Sequence, residues 1–138
     1  LHLAVMYTAF SNSGSMITPY LIYKDDPSAE VWIDQAISKE HSSLLTEDLK
    51  AVVNNPAGSG YAAHRTDMEL AGKTGTAELK SEQGTTGQEI GWFSVFTTDP
   101  SASKPVLLTS MVESVEDKGG STYVVKKDAA VLDSYFGS

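Results

Sequence analysis

At 138 residues, with 41% hydrophobic and 20% charged side chains, the chain has the length and balance of one globular domain around a single core. Eighteen acidic against ten basic residues give a net charge of -8, which argues against a nucleic-acid footprint. No stretch reaches the apolar length of a membrane helix, and the absence of cysteine excludes disulfides, thiolate nucleophiles and Cys-based metal sites.

The chain opens at Leu1 without an initiator Met or signal peptide, inside an apolar periodic run, as a piece of a longer polypeptide would. Leu3, Met6, Tyr7 and Phe10 recur at helical spacing, and Asn12-Ser13-Gly14 supplies the stop. Two short β-branched and aromatic runs, residues 16–23 and 30–33, flank the turn sequence Lys24-Asp25-Asp26-Pro27-Ser28 and read as a small hairpin. Ser38 is placed to cap a helix running to about Val53, with Leu45, Leu49, Val52 and Val53 as its inward stripe, ended by Asn54-Asn55-Pro56. A loop over residues 57–61 follows, with Gly58 and Gly60 giving it backbone freedom.

From Met68 to Lys80 the period changes to two. Met68, Leu70, Gly72 and Thr74 share one face, and Glu69, Ala71, Lys73 and Gly75 share the other. A polar turn with Gly84, Thr85, Thr86 and Gly87, a strand over 89–97, a second turn over Asp99–Lys104 and a strand over 105–113 complete a three-strand antiparallel meander. Gly119-Gly120 breaks the pattern, and Ser121 or Thr122 can start a last helix with Val125, Ala129, Leu132 and Phe136 in register. The expected class is α+β, an antiparallel sheet with flanking helices.

Chemistry concentrates at Gly72-Lys73-Thr74-Gly75-Thr76-Ala77-Glu78-Leu79. A strand Lys beside small residues can attract a carboxylate and sustain the proton traffic of a neighbouring serine. Gly75 lets an extended peptide approach, and the Thr76 amide with the Thr74 and Thr76 hydroxyls can donate to a carboxylate or an oxyanion. Read alone, the tripeptide is more simply a solvated Lys on an ordinary strand with a bulge-forming Gly.

Other constellations are weaker. Ser101-Ala102-Ser103-Lys104 has the spacing of a Ser-x-x-Lys nucleophile, but Pro100 and Pro105 bracket it and place it in a turn, where the two side chains do not share a helix face. His2, His41 and His64 lack metal-ligand spacing and read as surface or packing residues. Glu40, Glu47 and Asp48 read as a solvated helix face, Asp25-Asp26 as turn chemistry, and Trp92 and Phe93 as sheet core.

Taken together, Gly72–Leu79, Ile90-Gly91-Trp92-Phe93, an apolar strand, Gly119-Gly120 and a terminal amphipathic helix resemble the C-terminal part of the class B penicillin-binding proteins. The upstream order is similar too: Ala9-Phe10-Ser11-Asn12-Ser13-Gly14, then Ile17-Thr18-Pro19-Tyr20, then Val52-Val53 before Gly58-Ser59-Gly60. Residues Glu113–Tyr123 are similar to the low-affinity subgroup associated with β-lactam resistance.

The resemblance implies part of a transpeptidase fold of the penicillin-binding and serine β-lactamase kind. It implies catalytic roles for Lys73 and Thr76, and peptide or β-lactam binding by Thr74, Gly75 and Thr76, with no metal or organic cofactor. In that family a Ser-x-x-Lys helix and a Ser-x-Asn loop precede Lys-Thr-Gly. This sequence has no Ser-x-Asn, and only the turn-bound Ser101 match. The expected partners are a peptidoglycan stem peptide, β-lactams and the missing N-terminal part of the same domain, with self-association through exposed sheet edges and no nucleic acid. The parent is expected at the outer face of the bacterial membrane on an N-terminal anchor. The 138-residue chain alone is expected to be inactive. A β-lactam sensor domain and a non-catalytic wall-peptide binding module remain as alternatives, and a serine β-lactamase would need a deacylating water site that the sequence does not disclose.

Overall fold

The structure, a computed structural model, describes residues 1–22, 25, 28–80, 82, 87–99 and 101–137. Tyr23, the turn residues Lys24, Asp26 and Pro27, the Gly84-Thr85-Thr86 turn and Pro100 lie outside the described residues.

The first periodic run forms α1 (His2–Ser11). Its inward side differs from the expected stripe: Val5 and Ala9 are buried and Met6 is exposed. What α1 packs on accounts for the difference. The Tyr7 and Phe10 rings lie 5.5 Å apart and each reaches Phe96 at 6.2 Å, so the small residues beside them turn inward. The chain leaves the helix through Gly14, at φ 103°, whose amide donates to Ala9 O at 2.7 Å.

The hairpin forms, with strands shorter than the sequence suggested. β1 (Met16–Ile17) pairs antiparallel with β2 (Val31–Ile33), and the last rung is Thr18 N–H donating to Glu30 O at 2.8 Å. Pro19 follows and has no amide to continue the ladder. Next, α2 (Lys39–Asn54) starts where expected, with Ser38 Oγ accepting from His41 N at 3.2 Å. Of the expected stripe only Val53 is fully buried, while Leu45 is 41% exposed. The early inward position belongs to Ser42, whose hydroxyl donates to Ala9 O at 3.1 Å. The first half of α2 thus meets α1 through a polar contact, and only its second half reaches the sheet.

A 3-10 turn over Tyr61–Ala63 leads into the meander: β3 (Leu70–Leu79), β4 (Gln88–Thr97) and β5 (Leu107–Glu113), antiparallel in the order β3-β4-β5. β5 begins two residues later than the sequence suggested, after Pro105, which has no amide to donate. Directly opposed residues share a face, so Gly72 lies beside Val95 and Leu108, and Thr74 beside Phe93 and Ser110. That face is covered by α2 and by α3 (Ser121–Phe136), enclosing Val53, Leu70, Phe93, Val95, Val124, Val125 and Leu132. Each such side chain contributes about 1.5–3 kcal/mol through removal from water. At Gly72 a Cβ would stand 2.6 Å from Ser94 O, with Phe93 and Val53 at 3.2 and 3.3 Å, so the strand can lie against this core only with glycine there. The opposite face is covered by α1 at Phe96. The result is a helix–sheet–helix arrangement of the expected α+β class.

Candidate active site

β3 is an outer strand, and the direction of its hydrogen bonds decides what it presents. Thr98 N–H donates to Glu69 O at 3.3 Å, so Glu69 faces β4. In an antiparallel pair this alternates along the strand, and Lys73 and Gly75 also direct their amides and carbonyls at β4. Gly72, Thr74 and Thr76 therefore turn theirs outward, to the free edge. The Thr76 N–H is thus held on a fixed strand and aimed away from the sheet.

Side chains alternate in the same register. Lys73 is exposed on the face away from α2 and α3, and its ammonium donates to Thr74 O at 2.9 Å, which sets a positive charge on the edge itself. Gly75 shares that face, and a Cβ there would meet only Trp92 Cβ, at 3.5 Å. The space above Gly75 is thus open. Thr74 points the other way, into the core face. Its hydroxyl lies 2.7 Å from the Ser59 hydroxyl and the residue is 9% exposed, so of the two threonines only Thr76 offers an exposed hydroxyl. Thr76 Oγ1 also accepts from Ser121 N at 3.3 Å, which joins β3 to the start of α3.

The motif is held from below. Phe93, fully buried, packs under Gly60 and Gly72, and Asn54 Nδ2 donates to Leu70 O at 2.8 Å on the outward side of β3. Asn54 Oδ1 is in turn 3.1 Å from His64 Nδ1, and the His64 ring stacks on Tyr61 at 5.2 Å, a packing role for that histidine. A cleft of about 620 Å³ lies at the start of β3, lined by Lys50, Met68, Glu69, Thr98, Lys104 and Phe136 among others. Lys50 is held there by Glu47 at 2.8 Å and Glu69 at 2.9 Å, which keeps the Glu69 carboxyl below its ordinary range. None of Lys73, Thr74, Gly75 and Thr76 lines this cleft. Among the described residues no three His, Asp or Glu side chains gather as a metal site.

A model of the penicillin binding protein transpeptidase domain matches residues 1–132. The chain belongs to this transpeptidase family. It is 43% identical over 128 residues to penicillin-binding protein 3 of Bacillus subtilis strain 168, an alignment covering 92% of this chain and 19% of the relative. The chain thus spans about a fifth of that protein. Its fold is similar to the transpeptidase domain of Burkholderia pseudomallei penicillin-binding protein 3, with a TM-score of 0.73 and 20% identity, over 96% of this chain and 40% of that one. It is also similar to the D,D-transpeptidase domain of a peptidoglycan glycosyltransferase from Eggerthella lenta, with a TM-score of 0.65 and 26% identity, over 96% of this chain and 30% of that one. No helix of the described residues is long and apolar enough to cross a membrane.

Within this chain the Ser101 match is a turn, as its prolines indicated. Ser101 Oγ and N both donate to Asp99 Oδ1, at 2.6 and 2.8 Å, while Lys104 Nζ reaches Tyr135 O at 3.3 Å. The serine and lysine are engaged with different elements. Sequence reasoning missed Ser59 and the Ser121 amide, which touch the two motif hydroxyls. Their links span 15 and 45 residues, and no local pattern encodes contacts of that kind.

Proposed function

We propose that this chain is the Lys-Thr-Gly-bearing part of a D,D-transpeptidase domain. Its nucleophilic serine and that serine's lysine partner would stand on sequence N-terminal to Leu1. The observation that carries this reading is the outward Thr76 amide beside exposed Lys73 on the free edge of β3, in a chain of this family.

An extended stem peptide laid along that edge places its terminal carboxylate near Lys73 and the Thr76 hydroxyl, with Gly75 leaving room for its backbone. Serine Oγ, losing its proton to the Ser/Lys network, adds to the penultimate D-Ala carbonyl. The oxyanion accepts from Thr76 N–H. The C–N bond then breaks, terminal D-Ala leaves with the proton, and an amine of a neighbouring stem attacks the acyl ester to release serine and form the cross-link. A β-lactam acylates the same serine as its ring amide opens. The parent would act outside the cell on an N-terminal membrane anchor, and its subgroup would be the low-affinity one.

The test is fluorescent penicillin followed by denaturing electrophoresis. The 138-residue chain should take no covalent label, and the chain extended through the parent's upstream coding sequence should label at one serine. A labelled band on the 138-residue chain, or no label on the extended domain, would refute this reading. An extended domain that labels but forms no cross-linked product would instead mark a sensor, and one that takes no label a non-catalytic binding module.

A further inference from the structure

The first backbone amides of an α-helix have no partner inside the helix, and a side chain before the helix ordinarily accepts from one of them. α3 has no such cap of its own. Its N-cap is Gly120, at φ 61° and ψ -138°, with no side-chain acceptor. The acceptor comes from β3 instead, where Thr76 Oγ1 takes the Ser121 amide at 3.3 Å. Glycine is also what the approach requires, because a Cβ at Gly120 would lie 3.3 Å from Thr76 Oγ1 in a backbone region that other residues rarely adopt.

This bond has a direction that no proton assignment can reverse. A backbone N–H only donates, so the Thr76 oxygen accepts and its own proton is left for another partner. Accepting a hydrogen bond also makes a hydroxyl a stronger donor, and the positive end of the α3 dipole adds to the effect. Thr74 differs, since its partner is the Ser59 hydroxyl and either oxygen can be the donor. Glu89 opposes the effect: a Cβ at Gly120 would also lie 3.8 Å from its Oε2, so the carboxylate stands close to this corner.

We infer that the Ser121 amide is a positioning group that fixes Thr76 as a hydroxyl donor, so that the β3 edge prefers a terminal carboxylate over the corresponding carboxamide. This rests on the peptide-edge reading of β3 proposed above. It locates the preference at Thr76, through α3, and not at Thr74.

Two measurements on the 138-residue chain test it. The first is hydrogen exchange of the Ser121 amide, which in a first helical turn is unprotected unless something outside the helix accepts from it. Thr76→Val should raise its exchange about tenfold, and Thr76→Ser should restore protection. Unchanged exchange in Thr76→Val overturns the inference. The second follows the Thr76 amide resonance during titration with N-acetyl-D-alanyl-D-alanine and with its C-terminal carboxamide. Wild type should prefer the acid about tenfold or more, as a charge-assisted hydrogen bond requires. Replacing the residue 120–121 amide by an ester, through chain ligation, should lower the preference several-fold by weakening the acid only, the remainder being supplied by the Lys73 charge. A preference that the ester leaves unchanged overturns the inference. If neither probe moves Thr76 while the exchange result holds, the peptide-edge reading fails and the Ser121–Thr76 orientation stands.

Discussion

The Ser59 hydroxyl lies 2.7 Å from the Thr74 hydroxyl beneath the sheet, so the loop after α2 and the centre of the motif strand are joined by one short bond. With Thr74 only 9% exposed, its oxygen has little water to fall back on. Ser59→Ala is expected to lower unfolding stability by about 1–3 kcal/mol, the range for a polar group left unpaired in a protein interior. Adding Thr74→Val removes the orphan and should recover most of that loss. Urea unfolding of the two single variants and the double variant reads the coupling, and simple additivity would count against the bond.

A buried position on β4 and an exposed one on α2 should respond very differently to truncation. Phe93 is fully buried under Gly60 and Gly72, and Phe93→Ala is expected to cost about 3–5 kcal/mol. Leu45, at 41% exposure, should lose less than about 1 kcal/mol on truncation to Ala. Thermal unfolding of both variants checks the pair.

That contrast shows what the sequence could and could not disclose. Ser38 was legible as a cap because its partner, His41 N, is three residues away. The face alternation of β3 was legible because a strand's period is fixed by its geometry. The inward choice of Ser42 over Leu45, and of Val5 and Ala9 over Met6, was not. Helical spacing marks a stripe, but which stripe is covered depends on where α1 meets Phe96 and α2 meets Ala9. The site divides in the same way: Lys73 and Thr76 came from a local motif, whereas Ser59 and Ser121 reach it only through the tertiary fold.

Asp128 gives a pH signature. It sits on α3 at 3% exposure with no partner for Oδ2 among the described residues, and burial raises its carboxyl above the ordinary range, partly offset by a hydrogen bond from Ser110. A folded-state value above the unfolded one means that the native state binds this proton more tightly. The associated stability is complete below the ordinary carboxylate range and is lost as pH rises through the raised value. Asp128→Asn should therefore be more stable than wild type at neutral pH, with the advantage shrinking as the solution is acidified. Chemical unfolding from neutral to acidic pH reads the difference, and a constant gap would refute it.

Arg65 fastens the end of α3. It meets Asp67 at 2.8 Å, Asp133 at 2.6 Å and Gly137 O at 3.2 Å, and stands 5.3 Å from the Phe136 ring centre. Its partners are largely exposed, so Arg65→Ala is expected to cost only about 1 kcal/mol. The visible effect should be faster amide exchange in the last turn of α3. Unchanged exchange there would show that the fastening is dispensable.

β3 and β5 are the two outer strands of the sheet. Unpaired strand edges recruit other strands, so the 138-residue chain is expected to self-associate at high concentration. Adding the parent's upstream segment should suppress this. A monomer across the accessible range in sedimentation equilibrium would refute the expectation.

The alternation along β3 makes the motif strand a counter that advances in steps of two. Inserting one residue between Leu70 and Lys73 would carry the lysine beneath α2 and turn the Thr76 amide onto β4, reversing both assignments at once. A two-residue insertion at the same place would restore every orientation and only move the motif along the strand. Length variation in relatives should therefore collect in the connections beside this strand, where parity has no meaning, and engineered changes to β3 should keep an even count.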